Sequence, residues 1–211
     1  MFKPRESLRV VIADDHPHYR AGLARGLRAD GMAVLAEAPN AAAAIVAVVE
    51  RMPDVVIMDL SMPGVPAVEA IRVLREHAPS AQVVVLTVSA ECPDMADAIL
   101  SGATGYVLKD DLPEHIVGAV RAAAAGESTI SPRVASALLV RARGRGGSAG
   151  LLQHELGVLE LLADGRSCQE IVETVLTSPR NVREHLVSIL LKLAIDDRRQ
   201  MSPRALGGRY A

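Results

Sequence analysis

A short apolar run that ends in one carboxylate places the strongest constraint on how this chain can fold. The run reads Val55-Val56-Ile57-Met58-Asp59-Leu60-Ser61-Met62-Pro63-Gly64. Two valines and an isoleucine among consecutive apolar residues predict a strand buried on both faces, and the proline and glycine predict its end. Asp59 would then lie at the edge where open α/β sheets bind ligands. An isolated apolar run followed by Asp, however, more often begins a solvated turn.

Three other apolar segments also end in polar side chains. Residues 8–15 end in Asp14 and Asp15, residues 82–87 end in Thr87, and residues 105–109 end in Lys109. Helical patterns alternate with these segments, which predicts parallel strands whose carboxyl ends gather at one edge. That edge would carry three carboxylates, one hydroxyl and one ammonium group. The combination favours a chemical site over a solvated turn.

The pattern over residues 8–125 predicts five strands, each followed by a helix. The predicted helices are Pro17–Asp30, Ala41–Arg51 with Asn40 as its cap, Pro66–His77, Pro93–Ser101 and Pro113–Ala125. This order indicates a flavodoxin-like, doubly wound, five-stranded parallel sheet. No GxGxxG follows the first strand, so the sequence gives little support to dinucleotide binding.

The order and spacing of these five residues resemble the receiver domain of two-component response regulators. The resemblance implies that Asp59 accepts a phosphoryl group from a sensor histidine kinase. It further implies a Mg²⁺ site whose ligands are Asp14, Asp15, Asp59 and the backbone carbonyl of Ser61. The residue types suit that chemistry, because a carboxylate can form an aspartyl-phosphate and Mg²⁺ prefers oxygen ligands.

The resemblance also assigns roles to the other strand ends. Thr87 and Lys109 would engage the phosphoryl group through a hydroxyl and a point charge. Tyr106, three residues before Lys109, would swing inward as Thr87 moves. The chain is therefore expected to be a phosphoryl acceptor with at most slow self-dephosphorylation, and not an enzyme. An aspartyl-nucleophile phosphatase would carry an acid two residues after Asp59, where Ser61 stands.

The end of the chain predicts a small all-α domain. Residues 153–163 and 168–176 have helical patterns separated by Asp164-Gly165, and a longer helix is predicted over 180–193. This arrangement resembles the LuxR-type helix-turn-helix tail of NarL/FixJ response regulators. The matching residues are Glu155, Leu159, Leu162, Gly165, Glu170, Ile171, Ser178, Val182, His185, Leu186, Lys192 and Leu193. The resemblance implies DNA contacts by Arg180, Asn181, Arg183, His185 and Lys192.

Departures from the family pattern keep a second reading of the tail open. Glu184 places an acid on the recognition helix, and residues 151–211 carry eight basic and eight acidic side chains. Phosphate contacts dominate DNA affinity, so a neutral tail must cluster its basic residues to bind. Pro203 and Gly207-Gly208 interrupt the last helix, through which the family forms homodimers. The alternative is a receiver whose degenerate tail binds a protein.

The chain divides into a receiver domain over 1–126, a linker with one helix over 127–150, and the helix-turn-helix domain over 151–211. No apolar run is long enough to cross a membrane. Cys92 and Cys168 lack a metal-ligand spacing, which predicts reduced thiols in a cytoplasmic protein. His16 and His18 flank a proline without a metal-binding pattern, so no metal is assigned to them.

Overall fold

The computed structural model of the chain describes residues 7–89, 94–144, 150–175, 182 and 184–193. Several predictions fall outside these residues: the linker over 145–149, the start of the third tail helix and the interrupted helix near the end of the chain. The prediction of reduced thiols also lies outside, because neither Cys92 nor the side chain of Cys168 is described. The predicted division into domains stays a prediction.

A parallel sheet with helices on both faces forms the first part of the fold. Its strands are β1 (Arg9–Ala13), β2 (Ala33–Ala38), β3 (Val55–Asp59), β4 (Gln82–Thr87), β5 (Gly105–Leu108) and β6 (Thr129–Ile130). They lie in the order β2-β1-β3-β4-β5-β6, and every neighbouring pair is parallel. All five residues of β3 are buried, which confirms the strand predicted from its apolar run.

The helices of this part are α1 (Pro17–Ala29), α2 (Ala41–Arg51), α3 (Ala67–His77), α4 (Asp94–Leu100) and α5 (Pro113–Ala124). Buried side chains of α2, α3 and α4 pack on one face of the sheet, and those of α1 and α5 pack on the other. The doubly wound fold is therefore confirmed. The predicted cap of α2 is also confirmed, because the Asn40 side chain accepts a hydrogen bond from the backbone of Ala43 at 2.8 Å.

The sheet has a sixth strand that the sequence pattern did not predict. β6 is only two residues long, too short to show an alternating pattern. It pairs with β5, Thr129 beside Gly105 and Ile130 beside Tyr106, and the backbone N–H of Ser131 donates to Tyr106 at 2.8 Å. The prediction of five strands was therefore one strand short.

Among the described residues, the sheet is followed by α6 (Pro132–Gly144), α7 (Gln153–Ala163) and α8 (Cys168–Val175), and then by a last helical segment. Gly165 turns the chain between α7 and α8 with a φ of +78°, a conformation that favours glycine. Residues 184–193 are helical, and this segment is called the 184–193 helix below. Its inward-facing residues agree with the prediction, since Leu186, Ile189, Leu190 and Leu193 are buried. No helix among the described residues is long and apolar enough to span a membrane.

Candidate functional site

The predicted acidic residues meet at the carboxyl edge of the sheet, next to the point where the strand order reverses. β1 lies between β2 and β3, and Ala13 at its end pairs with Met58. Asp14, which follows β1, is therefore level with Asp59 at the end of β3. Both side chains are fully buried. Open α/β sheets bind ligands at such a reversal of strand order.

Lys109 bridges the two buried carboxylates. Its Nζ lies 2.7 Å from Asp14 Oδ2 and 2.7 Å from Asp59 Oδ2. Burial alone would lower the pKa of Lys109, but its hydrogen bonds to Asp14 and Asp59 outweigh that effect and raise the pKa above its ordinary value. Lys109 is therefore a fixed positive charge at neutral pH, between two carboxylates that would otherwise repel each other.

Tyr19 on α1 closes one side of this charged cluster. Lys109 Nζ stands 5.2 Å from the centre of the Tyr19 ring, within the range of a cation–π contact. Burial, together with the charges of Asp14 and Asp111, raises the pKa of the Tyr19 hydroxyl well above its ordinary value. Tyr19 therefore stays neutral beside the acids. Its place at the site was not predicted, since no spacing pattern connects α1 to β5.

The remaining carboxylate oxygens are arranged by short turns of the backbone. The N–H of His16 donates to Asp14 Oδ1 at 2.8 Å, and the N–H of Ser61 donates to Asp59 Oδ1 at 3.0 Å. Each carboxylate is thus oriented by a hydrogen bond from the backbone of the residue two positions later in the chain. The predicted Ser61 therefore lies at the site, with its backbone next to Asp59.

The carboxyl edge of the sheet around Asp14, Asp15 and Asp59, called the acidic edge below, has the donor groups of a divalent cation site. Asp14, Asp15, His16 and Asp59 each offer a ligand atom, and these atoms lie within 4.8 Å of one another. Asp14 Oδ2 and Asp15 Oδ1 are buried oxygens whose close polar neighbours are Lys109 Nζ and His16 Nδ1, each at 2.7 Å. Carboxylate oxygens are the ligands that hard divalent cations prefer, so these residues fit such an ion. The sequence analysis assigned no metal to His16, whose ring nitrogen the structure brings beside these acids.

Thr87 and Tyr106 occupy the neighbouring strands. Thr87 ends β4 and is fully buried, and its hydroxyl donates to the carbonyl of Ser89 at 3.1 Å. Tyr106 lies on β5 beside Val85, with only 3% of its surface exposed. Of the predicted receiver residues, the structure thus brings Asp14, Asp15, Asp59 and Lys109 into one cluster. Thr87 lies at the same edge, and Tyr106 lies further back along β5.

The predicted DNA contacts are described only in part. Arg180, Asn181 and Arg183 lie outside the described residues. His185 is half-buried, and its ring centre lies 4.8 Å from that of His154 on α7 in an edge-to-face arrangement. Lys192 Nζ lies 2.8 Å and 2.7 Å from the two carboxylate oxygens of Glu155. The structure therefore gives His185 and Lys192 partners within the tail, which sequence spacing did not indicate.

Glu155 joins α7 to the 184–193 helix. Its side chain is 2% exposed and accepts hydrogen bonds from Lys192, from Ser188 Oγ at 2.7 Å and from the backbone of Leu152 at 2.7 Å. Burial alone would raise the pKa of Glu155, but the bonds from Lys192, Leu152 and Ser188 outweigh it and hold the pKa below its usual range. The ionised carboxylate therefore stabilises the tail.

Replacing Glu155 by Gln is expected to lower the free energy of unfolding of the tail by about 2 kcal/mol near neutral pH. A carboxyl whose folded pKa is depressed contributes stability above its unfolded pKa, here 4.5, and loses it as pH falls through the folded pKa. The difference should thus shrink below about pH 4.5. Urea unfolding followed by circular dichroism measures it, with Glu160→Gln as an exposed control. Equal losses in both variants would contradict the assignment.

The 184–193 helix also packs against the end of the sheet. A small cavity of about 20 Å³ marks the junction. The residues that line it come from α4, β5, β6, the loops next to them and the helix: Ile99, Ala103, Thr104, Tyr106, Ser128, Thr129, Ile130, Leu186, Val187 and Leu190. One apolar core runs from the sheet through α6 and α7 to this helix. The tail is therefore docked on the face that contains Tyr106.

Comparison with known proteins identifies both parts of the chain. A family model described as response regulator receiver domain matches residues 10–121, and one described as bacterial regulatory proteins, luxR family, matches residues 150–204. The transcriptional regulatory protein LiaR of Bacillus subtilis is 34% identical over 92% of this chain and 94% of its own. The nitrate/nitrite response regulator NarP of Escherichia coli is 37% identical over 90% of each.

Among solved structures, the chain is similar to a response regulator RcsB–DNA complex at 28% identity and a TM-score of 0.59, over 89% of this chain and 92% of that one. The fold and the acidic edge are those of a receiver, and the tail is of the LuxR type. The chain belongs to the NarL-type response regulators, transcription regulators that combine a receiver with a LuxR-type DNA-binding domain.

Proposed function

We propose that Asp59 accepts a phosphoryl group from a phosphohistidine of a sensor histidine kinase. In this step the P–N bond of the donor breaks, a P–O bond forms to an Asp59 carboxylate oxygen, and the donor imidazole retains the bonding electron pair. The bridge that Lys109 makes to Asp14 and Asp59 supports the proposal, because it places a fixed positive charge beside the nucleophile. Phosphoryl transfer depends mainly on such positioning and charge neutralisation.

The acidic edge would hold Mg²⁺ through Asp14, Asp15, Asp59 and the backbone carbonyl of Ser61. The ligand atoms of Asp14, Asp15 and Asp59, which lie within 4.8 Å of one another, support this assignment. When bound, the ion neutralises charge on the phosphoryl oxygens. Lys109 and the hydroxyl of Thr87 would engage the phosphoryl group from the other side of the site.

The phosphoryl group would be sensed through Thr87 and Tyr106. Thr87 must leave its bond to Ser89 to reach a phosphoryl oxygen, and the space it leaves would be taken by Tyr106. Tyr106 also lines the cavity beneath the 184–193 helix. An inward movement of its ring would remove part of the surface on which Leu186 and Leu190 rest. Phosphorylation of Asp59, which adds negative charge at the site, would thus favour release of the tail.

The released tail would bind DNA through Arg180, Asn181, Arg183 and His185, while Lys192 would stay paired with Glu155 inside the tail. One solved structure of RcsB contains two dimers bound to two parallel DNAs, and a homodimer of this chain would likewise present two tails. Docking buries Leu186 and Leu190 against the receiver, so the docked helix has one face unavailable to DNA.

The proposal is tested on the full chain by fluorescence anisotropy with labelled, sheared genomic DNA. Treatment with a small phosphodonor and Mg²⁺ should raise DNA affinity by about tenfold, within the usual range of coupling between sites. Binding should weaken steeply with added salt, because phosphate contacts supply most of the affinity. Phosphorylated protein that binds DNA no better than unphosphorylated protein would refute control by Asp59. No binding by either form at low salt would favour the protein-binding tail.

A further inference from the structure

We propose that His16 is an additional metal ligand at the acidic edge, and that it gives the site a preference for a first-row transition-metal dication over Mg²⁺. The inference rests on the proposed function in one respect, since Asp59 must belong to a divalent cation site. It goes beyond that function because it concerns which ion the site takes. Mn²⁺ is the probe.

The position of the imidazole relative to the acids carries the proposal. His16 Nδ1 lies 2.7 Å from Asp15 Oδ1 and 3.3 Å from Asp14 Oδ1. Two ligand atoms at right angles on an ion, each bound at about 2.1 Å, are about 3 Å apart. The two observed separations lie on either side of that value. The imidazole nitrogen therefore stands where a ligand adjacent to both carboxylates would stand.

The pairing with Asp15 and the local backbone hold the ring in this position. His16 is the N-cap residue of α1, yet its side chain makes no capping hydrogen bond. His16 Nδ1 pairs instead with Asp15 Oδ1 at 2.7 Å. The backbone is held by the bond from the His16 N–H to Asp14 Oδ1 and by Pro17 at the start of α1. The ring is thus presented to the acids from a fixed point.

The chemistry of the donor set determines the preference. Mg²⁺ takes oxygen ligands in octahedral geometry and keeps several of its waters, so it gains little from an imidazole. First-row transition-metal ions accept imidazole more readily than Mg²⁺ does, and Mn²⁺ gains the least from it among them. The His16 side chain is 65% exposed, so in the Mg²⁺ form water can take its place at little cost. His16 should therefore strengthen the binding of a transition-metal ion selectively.

The test measures Mn²⁺ binding to the full chain by electron paramagnetic resonance at one fixed pH, with Mg²⁺ affinity obtained by competition. His16→Gln should weaken Mn²⁺ binding by about fivefold, below the usual range of losses at metal sites, because Mn²⁺ gains less from imidazole than the later first-row ions do. Mg²⁺ affinity should change by less than about twofold, since Mg²⁺ gains little from imidazole. His18→Gln is the matched control, because His18 is exposed on α1 and is not in the cluster. His18→Gln should bind Mn²⁺ and Mg²⁺ with the affinities of the unsubstituted chain.

A spectroscopic measurement tests ligation directly. Electron-spin-echo modulation from an imidazole nitrogen should accompany Mn²⁺ bound to the parent and to His18→Gln, and should be absent in His16→Gln. Absence of that modulation in the unsubstituted chain, or equal Mn²⁺ affinity of the unsubstituted chain and His16→Gln, would show that the ring only pairs with Asp15 and does not bind the ion. Circular dichroism of each variant establishes that it is folded.

Asp59→Asn separates failure of this inference from failure of the proposed function. If Asp59→Asn loses both ions while His16→Gln keeps the parent affinities, the divalent site stands and only the role of His16 is overturned. If Asp59→Asn binds Mn²⁺ and Mg²⁺ as the parent does, the edge is not the cation site. The proposed function then fails together with the inference.

Discussion

Replacing Asp59 by Asn should abolish phosphoryl labelling of the chain by a small phosphodonor in the presence of Mg²⁺. The substitution keeps the shape of the side chain but replaces the carboxylate nucleophile with an uncharged amide. Asp59 is fully buried and within 2.7 Å of Lys109, whose raised pKa keeps it protonated. No other described carboxylate combines this burial, the Lys109 contact and a position at the end of β3.

Labelling is measured by mass spectrometry of the intact chain, because a phosphoryl group adds a defined mass. Asp30→Asn is the control, since Asp30 is exposed at the C-terminal end of α1, where it pairs with Arg121. It should be labelled as the parent is. Mg²⁺-dependent labelling that persists in Asp59→Asn at the parental level would remove Asp59 from the role of acceptor.

The position of the acidic edge could be predicted because it depends on local patterns that a parallel sheet combines in a fixed way. Each apolar run shows where a strand lies, and parallel order places all the strand ends at one edge. The polar residue that follows each run then lies at that edge without further information. Asp14, Asp59, Thr87 and Lys109 were all located by this argument.

The contacts between distant segments could not be predicted in the same way. β6 has two residues, and it forms because Gly105 and Tyr106 offer backbone partners to Thr129 and Ile130. Lys192 meets Glu155 across 37 residues of sequence. In both cases the partner is determined by packing in three dimensions. The sequence pattern of either segment alone therefore does not predict which residue it contacts.

His16 illustrates an intermediate case. Its place beside Asp15 in the sequence was visible, but a residue after a strand can point toward the acids or away from them. The N-cap position at the start of α1 and the bond to Asp14 Oδ1 determine where the ring stands. Metal-binding patterns based on spacing within one helix do not cover a histidine at a helix N-cap beside acids at strand ends. No metal was therefore assigned to this histidine from its sequence.

Replacing Thr129 by Glu should raise the DNA affinity of the unphosphorylated chain, because it should undock the 184–193 helix. Thr129 is half-buried on β6 and lines the cavity beneath that helix, opposite Leu186, Val187 and Leu190. A carboxylate placed against these apolar side chains lacks a partner there, and burying an unpaired charge is costly. The released arrangement, in which the carboxylate is solvated, becomes favoured.

The expected gain in DNA affinity is about tenfold, which corresponds to a shift of about 1.4 kcal/mol between the docked and released arrangements. Anisotropy with labelled, sheared genomic DNA measures it, and phosphodonor treatment should then add little, since the helix is already released. Thr129→Val has the same shape without the charge and should bind DNA as the parent does. Undiminished labelling of Asp59 in Thr129→Glu would show that the receiver remains folded. Equal DNA affinity of both variants and the parent would mean that docking of the helix does not limit DNA binding.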